Sequence, residues 1–160
     1  VSVRRATRAD VPAIVRLVRE LAAFEKLPGP DDAAAARLAD DFGSRYDAWV
    51  AEVGGEIVAY AIAFETYGSF HARPLLWLED VYVTPKARRA GLARELLEAL
   101  AEHGRRRGCE RMAWAVLDWN VEAKAFYAKI GARRKPWEWH ELDLVSRASG
   151  GGSPSRTTGT

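Results

Sequence analysis

One cysteine, Cys109, excludes an internal disulfide, and three histidines with no Cys/His cluster at zinc spacing exclude the usual structural metal sites. Cys109 reads as a small buried apolar residue at a strand start. No apolar run approaches the roughly 20 residues that cross a bilayer, and residues 1–6 are too short and too charged for a leader. The expectation is a cytoplasmic protein with no membrane partner and no metal. A charge excess is also missing: a net charge of +2 with 29% charged residues argues against a nucleic-acid partner, and Arg105-Arg106-Arg107 reads as the basic end of a helix. Two nucleotide signatures are absent as well. There is no Gly-Lys-Ser/Thr at a helix start to hold phosphate and magnesium, and no Gly-x-Gly-x-x-Gly followed by a ribose-binding acid.

What is present is a strand that runs through a basic, glycine-containing turn into a helix: Leu78-Glu79-Asp80-Val81-Tyr82-Val83-Thr84-Pro85-Lys86-Ala87-Arg88-Arg89-Ala90-Gly91-Leu92-Ala93. A helix start offers unpaired N–H groups and partial positive charge, and Gly91 lets the backbone approach a ligand closely. That junction suits a pyrophosphate. At 48% apolar, 160 residues suffice for one core, so a single domain over 1–145 is expected. Residues 146–160, rich in Gly, Ser and Thr with almost nothing to bury, read as a flexible tail.

Periodicity supplies the elements. Residues 1–6 alternate as a first strand, and Thr7 with Asp10 three residues later forms a capping box. Val11, Ile14, Val15, Val18, Leu21 and Ala22 then recur at helical spacing, to be stopped by Leu27-Pro28-Gly29-Pro30. An Ala-rich helix to Asp41 follows. Strands over 46–53 and 56–64, joined by Gly54-Gly55, predict an antiparallel hairpin. Residues 75–83 form the next strand, 92–107 a long helix and 111–117 another strand. Asn120 caps a short helix that ends at Gly131, and 138–144 make a last strand. The order gives an α+β domain, a mixed central sheet of six to seven strands with about four helices on both its faces.

The pattern Arg88-x-x-Gly91-x-Ala93, preceded by Leu78-Glu79-Asp80 and followed by Asp118-Trp119-Asn120 and Ala125-Phe126-Tyr127, resembles the GNAT superfamily of acyl-CoA-dependent N-acetyltransferases over roughly residues 3–144. The resemblance implies the GNAT fold, acetyl-CoA as cosubstrate and a homodimer. It implies that Val81, Tyr82 and Val83 offer backbone groups to acetyl-pantetheine. Arg88, Arg89, Ala90, Gly91, Leu92, Ala93 and Arg94 would wrap the pyrophosphate, and Asn120, Val121, Glu122 and Ala123 would touch the CoA arm.

Acetyl transfer to an amine needs the ammonium stripped of a proton and the departing thiolate protonated. Glu79 is the candidate for the first task, because an acid within so apolar a strand is costly without a role. Unbroken alternation would set Glu79 and Asp80 on opposite faces, so they share a role only if a bulge intervenes. Tyr127 is the candidate acid by the same resemblance; as residues alone, Phe126 and Tyr127 read first as core aromatics at helical spacing.

Wider segments resemble the spermidine/spermine and thialysine acetyltransferase branch: Glu20-Leu21-Ala22-Ala23-Phe24-Glu25-Lys26, Asp41-Phe42-Gly43, Val50-Ala51-Glu52, and Thr66-Tyr67 ahead of Arg73-Pro74. By that resemblance Phe24, Glu25, Glu79 and the stretch Ala113, Trp114, Ala115 line the amine site, with Glu138 aligned to an acid near the chain end. Gly68-Ser69-Phe70 departs from the branch, whose polyamine enzymes carry an acid there, and leaves a lysine-like amine as open as a diamine or polyamine. Two other readings stand beside a small-molecule enzyme: a protein or peptide N-acetyltransferase, and a noncatalytic acyl-CoA-binding module.

Overall fold

A computed structural model describes residues 1–144; the tail read at 146–160 lies outside the described residues. Five strands in the order β1-β2-β3-β4-β5 make one sheet: β1 Ser2–Arg5, β2 Asp47–Val53, β3 Glu56–Gly68, β4 Arg73–Val83 and β5 Met112–Ala113. The first four pair antiparallel and β5 pairs parallel to β4, so the sheet is mixed as expected. Gly54 and Gly55 take φ of 60° and 85°, the left-handed pair that a tight β2–β3 turn requires.

Four α-helices cover both faces: α1 Val11–Phe24, α2 Asp32–Asp41, α3 Leu92–Arg106 and α4 Val121–Lys129. Alternation along β2 sorts the core. Ala48 and Val50 face α1, where Ile14 and Leu17 pack on Tyr60, Ile62 and Tyr82. Trp49 and Ala51 face α3, whose Leu92, Leu96, Leu97 and Leu100 settle on the small residues Ala59, Ala61 and Ala63 and on Leu76 and Leu78. Each leucine so buried contributes about 1.5–3 kcal/mol, so this face supplies much of the fold's stability. The aromatic residues of α4, Phe126 and Tyr127, pack against the same α3 side.

The strand count corrects the sequence expectation of six to seven. Only Met112–Ala113 of the strand read at 111–117 pairs with β4, and residues 138–144 form no strand. In that last segment Trp137 and Trp139 share one strand face while Leu142 and Leu144 would take the other, so neither face is apolar throughout. All four side chains are exposed. Cys109 is half-buried and precedes β5 rather than starting it. Among the described residues no helix is long and apolar enough to cross a membrane.

Candidate active site

The site begins where two strands part. Pairing of β4 with β5 is confined to Leu76 with Met112 and Trp77 with Ala113. Beyond it β4 runs on to Val83 with β3 on one side only, so the outer backbone edge of Val81, Tyr82 and Val83 has no strand beside it among the described residues. Such an edge is a ready partner for an extended, amide-bearing ligand arm.

Two helix N-termini flank the opening. At the first, Arg89 and Gly91 hold left-handed φ of 65° and 83°, and Gly91 is the residue from which α3 starts. The first-turn N–H groups of Leu92, Ala93 and Arg94 have no partner within the helix, and Ala90 and Gly91 are exposed beside them. A Cβ on Gly91 would meet nothing within 4 Å, so the space in front of the turn is open. At the second, Asn120 Oδ1 accepts the Ala123 N–H at 3.1 Å and starts α4, with Val121 and Glu122 exposed in its first turn.

Arg88 faces away from that turn. Its Nε donates to the Val83 carbonyl at 3.2 Å, and its guanidinium lies 5.3 Å from the Phe24 ring centre and 5.9 Å from that of Tyr82. Phe24 in turn packs on Trp119, centroids 5.6 Å apart. The end of α1 is thereby tied to both the turn before α3 and the segment that leads into α4.

On the α1 face of β4 stand the acids. Ala63 pairs with Leu78 and Ile62 with Asp80, leaving Glu79 as the extra residue of a β-bulge. The opposite faces that alternation predicts for Glu79 and Asp80 are therefore not observed: the bulge sets Trp77, Glu79, Asp80 and Tyr82 toward one side. Glu79 is exposed and accepts the Trp77 indole N–H at 2.8 Å, so the desolvation cost expected of it falls instead on its neighbour. Asp80 accepts the Tyr60 hydroxyl at 3.2 Å. Burial first, then the Glu79 charge and more weakly that of Glu25, push Asp80 up to about 6, against the opposing Tyr60 bond.

Burial also raises the Glu25 carboxyl, and burial with the Glu25 charge pushes Tyr127 up to about 12. Tyr127 packs against Trp114 in a tilted arrangement, ring centroids 5.0 Å apart. Glu25 thus connects the acids of β4 with the phenol of α4. Glu138 pairs with His140 at 3.6 Å, while its neighbour Trp139 stacks on Trp77 at 5.7 Å, beside the indole that holds Glu79. Ala113 is in β5, and Ala115 is exposed just after it. Sequence reasoning kept only one of the two acids on the site side; the bulge that sets both on one face is a pairing between distant segments and leaves no local mark.

Residues 14–132 match the Acetyltransferase (GNAT) family. The chain belongs to that family. This acetyltransferase is 35% identical over 144 residues to thialysine N-epsilon-acetyltransferase of Bos taurus, covering 83% of this chain and 84% of that one. It is 33% identical over 150 residues to spermidine/spermine N(1)-acetyltransferase-like protein 1 of Homo sapiens, covering 86% of this chain and 21% of that one. The branch suspected from sequence is therefore the one its relatives occupy. The crystal structure of a probable acetyltransferase superposes with a TM-score of 0.80 at 18% identity, covering 92% of this chain and 100% of that one, which shows the shared fold.

Proposed function

We propose that this acetyltransferase moves an acetyl group from acetyl-CoA to the primary amine of a small molecule, a diamine or polyamine or a lysine-like amino acid such as thialysine. The observation that carries the reading is the parted β4–β5 edge set between two helix starts, with carboxylates on one side and a half-buried phenol on the other. In this reading the pyrophosphate meets the open N–H groups from Arg89 to Arg94, and the pantetheine arm lies along Val81 to Val83 and past Asn120 to Ala123. Arg88, held by aromatic rings, acts on the amine side as much as on the phosphate.

The amine enters between Phe24, Glu25 and Glu79. An alkyl ammonium has a pKa of about 10.4, so a carboxylate must take a proton before the nitrogen can attack. Glu79, exposed at the mouth, assists that loss. The nitrogen lone pair then bonds to the thioester carbonyl carbon, the C–S bond breaks, and Tyr127 gives its proton to the sulfur. The proton still on the new amide nitrogen returns to the phenolate. No metal enters this scheme.

A homodimer completes the proposal, supported by the exposed Trp137, Trp139, Leu142 and Leu144, and light scattering would check it. The deciding experiment is thiol release from acetyl-CoA with a panel of polyamines, diamines, lysine, thialysine and lysine-containing peptides. Release with the small amines supports the reading. Faster turnover of peptides would favour a peptide acetyltransferase, and binding of acetyl-CoA without release by any amine would favour a binding module.

A further inference from the structure

We propose that the groove between β1 and the last turns of α3 is a second ligand site, built for a small oxyanion, a phosphomonoester or a carboxylate, carried on a flat apolar body. It stands apart from the β4 edge. α3 is 15 residues long and the groove lies at its far end, roughly 20 Å from Gly91. The strand register makes the groove. Val3 pairs with Ala51 and Arg5 with Trp49, and alternation puts these four side chains on the α3 face of the sheet. Among the described strands none lies beyond β1, so the space between it and the end of α3 stays open. The cavity there measures about 450 Å³, within the range of small-molecule sites.

Its floor is apolar and carries one waiting donor. Val3, Ala99 and the Trp49 ring form the floor, and the His103 ring meets the indole edge to face, centroids 4.9 Å apart. Trp49 is only 5% exposed, yet its indole N–H makes no hydrogen bond among the described residues, where no buried polar side-chain atom is left unpaired. The N–H is therefore not sealed in the core. It opens into the cavity that Trp49 lines.

The rim adds donors and has its acceptors already spent. Arg5 uses Nη2 on Asp47 and Arg106 uses Nη1 on Glu102 at 3.3 Å, which leaves the other N–H groups of both guanidiniums for a ligand. Glu102 is the one acid in the lining, and its two oxygens accept from Arg106 and Arg105. Arg4 borders the cavity but gives its guanidinium to Asp10. Burial, reinforced by Arg5, Arg106 and Arg107 against the pull of Asp47, lowers the His103 pKa, so that ring is neutral at pH 7. A cation finds no free carboxylate here, and the groove is not a second amine site. An oxyanion finds two guanidiniums and an indole N–H around an apolar floor, the charge-assisted donors that phosphate and carboxylate favour.

The test follows the Trp49 indole N–H in proton–nitrogen NMR spectra of the intact chain, assigned sequentially, while phenyl phosphate, benzoate, inorganic phosphate and spermidine are titrated at constant ionic strength. Each titration is run with and without saturating CoA. Phenyl phosphate or benzoate should move the signal saturably, inorganic phosphate only at higher concentration because it leaves the floor unused, and spermidine not at all. The tighter of the two ring compounds tells whether the site takes a phosphomonoester or a carboxylate. CoA should leave the response intact, since the turn proposed for it lies at the other end of α3. Arg5→Gln and Arg106→Gln should each weaken binding about tenfold, the worth of one charge-assisted bond. Should Arg5→Gln fail to fold without its Asp47 pair, Arg106→Gln, at a side chain 64% exposed, carries the test alone. A signal unmoved by all three anions, a response that CoA abolishes, undiminished affinity in the folded variants, or a shift with spermidine equal to that with the anions overturns the proposal. Its failure leaves the acetyl-transfer reading untouched, because no amine turnover enters the measurement.

Discussion

The Tyr127 ring packs against Trp114 with centroids 5.0 Å apart and planes inclined at 58°, so the indole fixes the position of the phenol that α4 carries. Pushed up to about 12 by burial and by Glu25, that phenol keeps its proton at neutral pH, as the donor role proposed for it requires. Tyr127→Phe keeps the ring and its contact with Trp114 while removing only the O–H. Turnover is expected to fall about 100-fold, with acetyl-CoA affinity nearly intact by calorimetry. Unchanged turnover would take Tyr127 out of the mechanism.

Arg89 and Gly91 test the turn. A non-glycine residue in left-handed backbone costs roughly 1–2 kcal/mol, so Arg89 at φ 65° is a local strain. Arg89→Gly should raise the thermal midpoint or leave it level while weakening acetyl-CoA binding, the mark of strain kept for a ligand. Gly91→Ala should do the reverse to stability, lowering it by about 1 kcal/mol, and should weaken the cofactor more than that, because its Cβ projects into the open space before α3. Calorimetry together with melting curves separates the two effects; equal cofactor affinity in all three proteins would remove the turn from the cofactor site.

The features legible in sequence were those whose chemistry is local. Gly54-Gly55 announced the β2–β3 hairpin, Thr7 with Asp10 the entry to α1, and Asn120 the start of α4. The Gly91 turn was readable for the same reason. What sequence did not reveal depends on distant segments meeting. The bulge at Glu79 exists only in the register between β3 and β4, so alternation alone could state the condition for Glu79 and Asp80 to share a face without deciding it. The segment 138–144 failed in the opposite direction: its apolar residues suggested a strand, but a strand is made by backbone pairing, and none of the strands described pairs with it. Arg88 followed the motif in sequence, yet its side chain is claimed by Phe24 and Tyr82.

That placement makes Arg88 separable from its neighbours in the turn. A guanidinium over an aromatic face contributes about 0.5–2 kcal/mol, and Arg88 joins Phe24, proposed to line the amine site, to the Val83 carbonyl of the strand proposed to hold the cofactor. Arg88→Met retains the bulk and loses the charge and the hydrogen bond. KM for the amine is expected to rise about threefold to tenfold, with a smaller change in acetyl-CoA affinity. The opposite split, cofactor affinity lost and amine KM preserved, would return Arg88 to direct phosphate binding.

Asp10 is the only buried charged residue among those described, and it holds the start of α1 to the sheet. Its carboxylate accepts Arg4 Nη1 at 2.7 Å and Nη2 at 2.9 Å, and also the Thr7 backbone N–H at 2.7 Å and hydroxyl at 3.0 Å. These bonds, the Arg4 pair foremost, hold the carboxyl well below the usual carboxylate range despite its burial. A carboxyl lowered in the folded state binds protons less readily there than in the unfolded chain, so its contribution is fully present above the ordinary Asp pKa of about 3.9. It is lost progressively as pH falls below that value. Asp10→Asn should therefore cost about 1–3 kcal/mol at neutral pH, the worth of a charged cap and a bidentate pair. Between about pH 4 and pH 2 the wild type should lose its advantage while the variant, with no carboxyl to protonate at this position, declines less. Urea unfolding of both proteins across that range measures the difference directly; parallel stability curves would mean that Asp10 contributes as a hydrogen-bonding cap and that its ionisation does not matter.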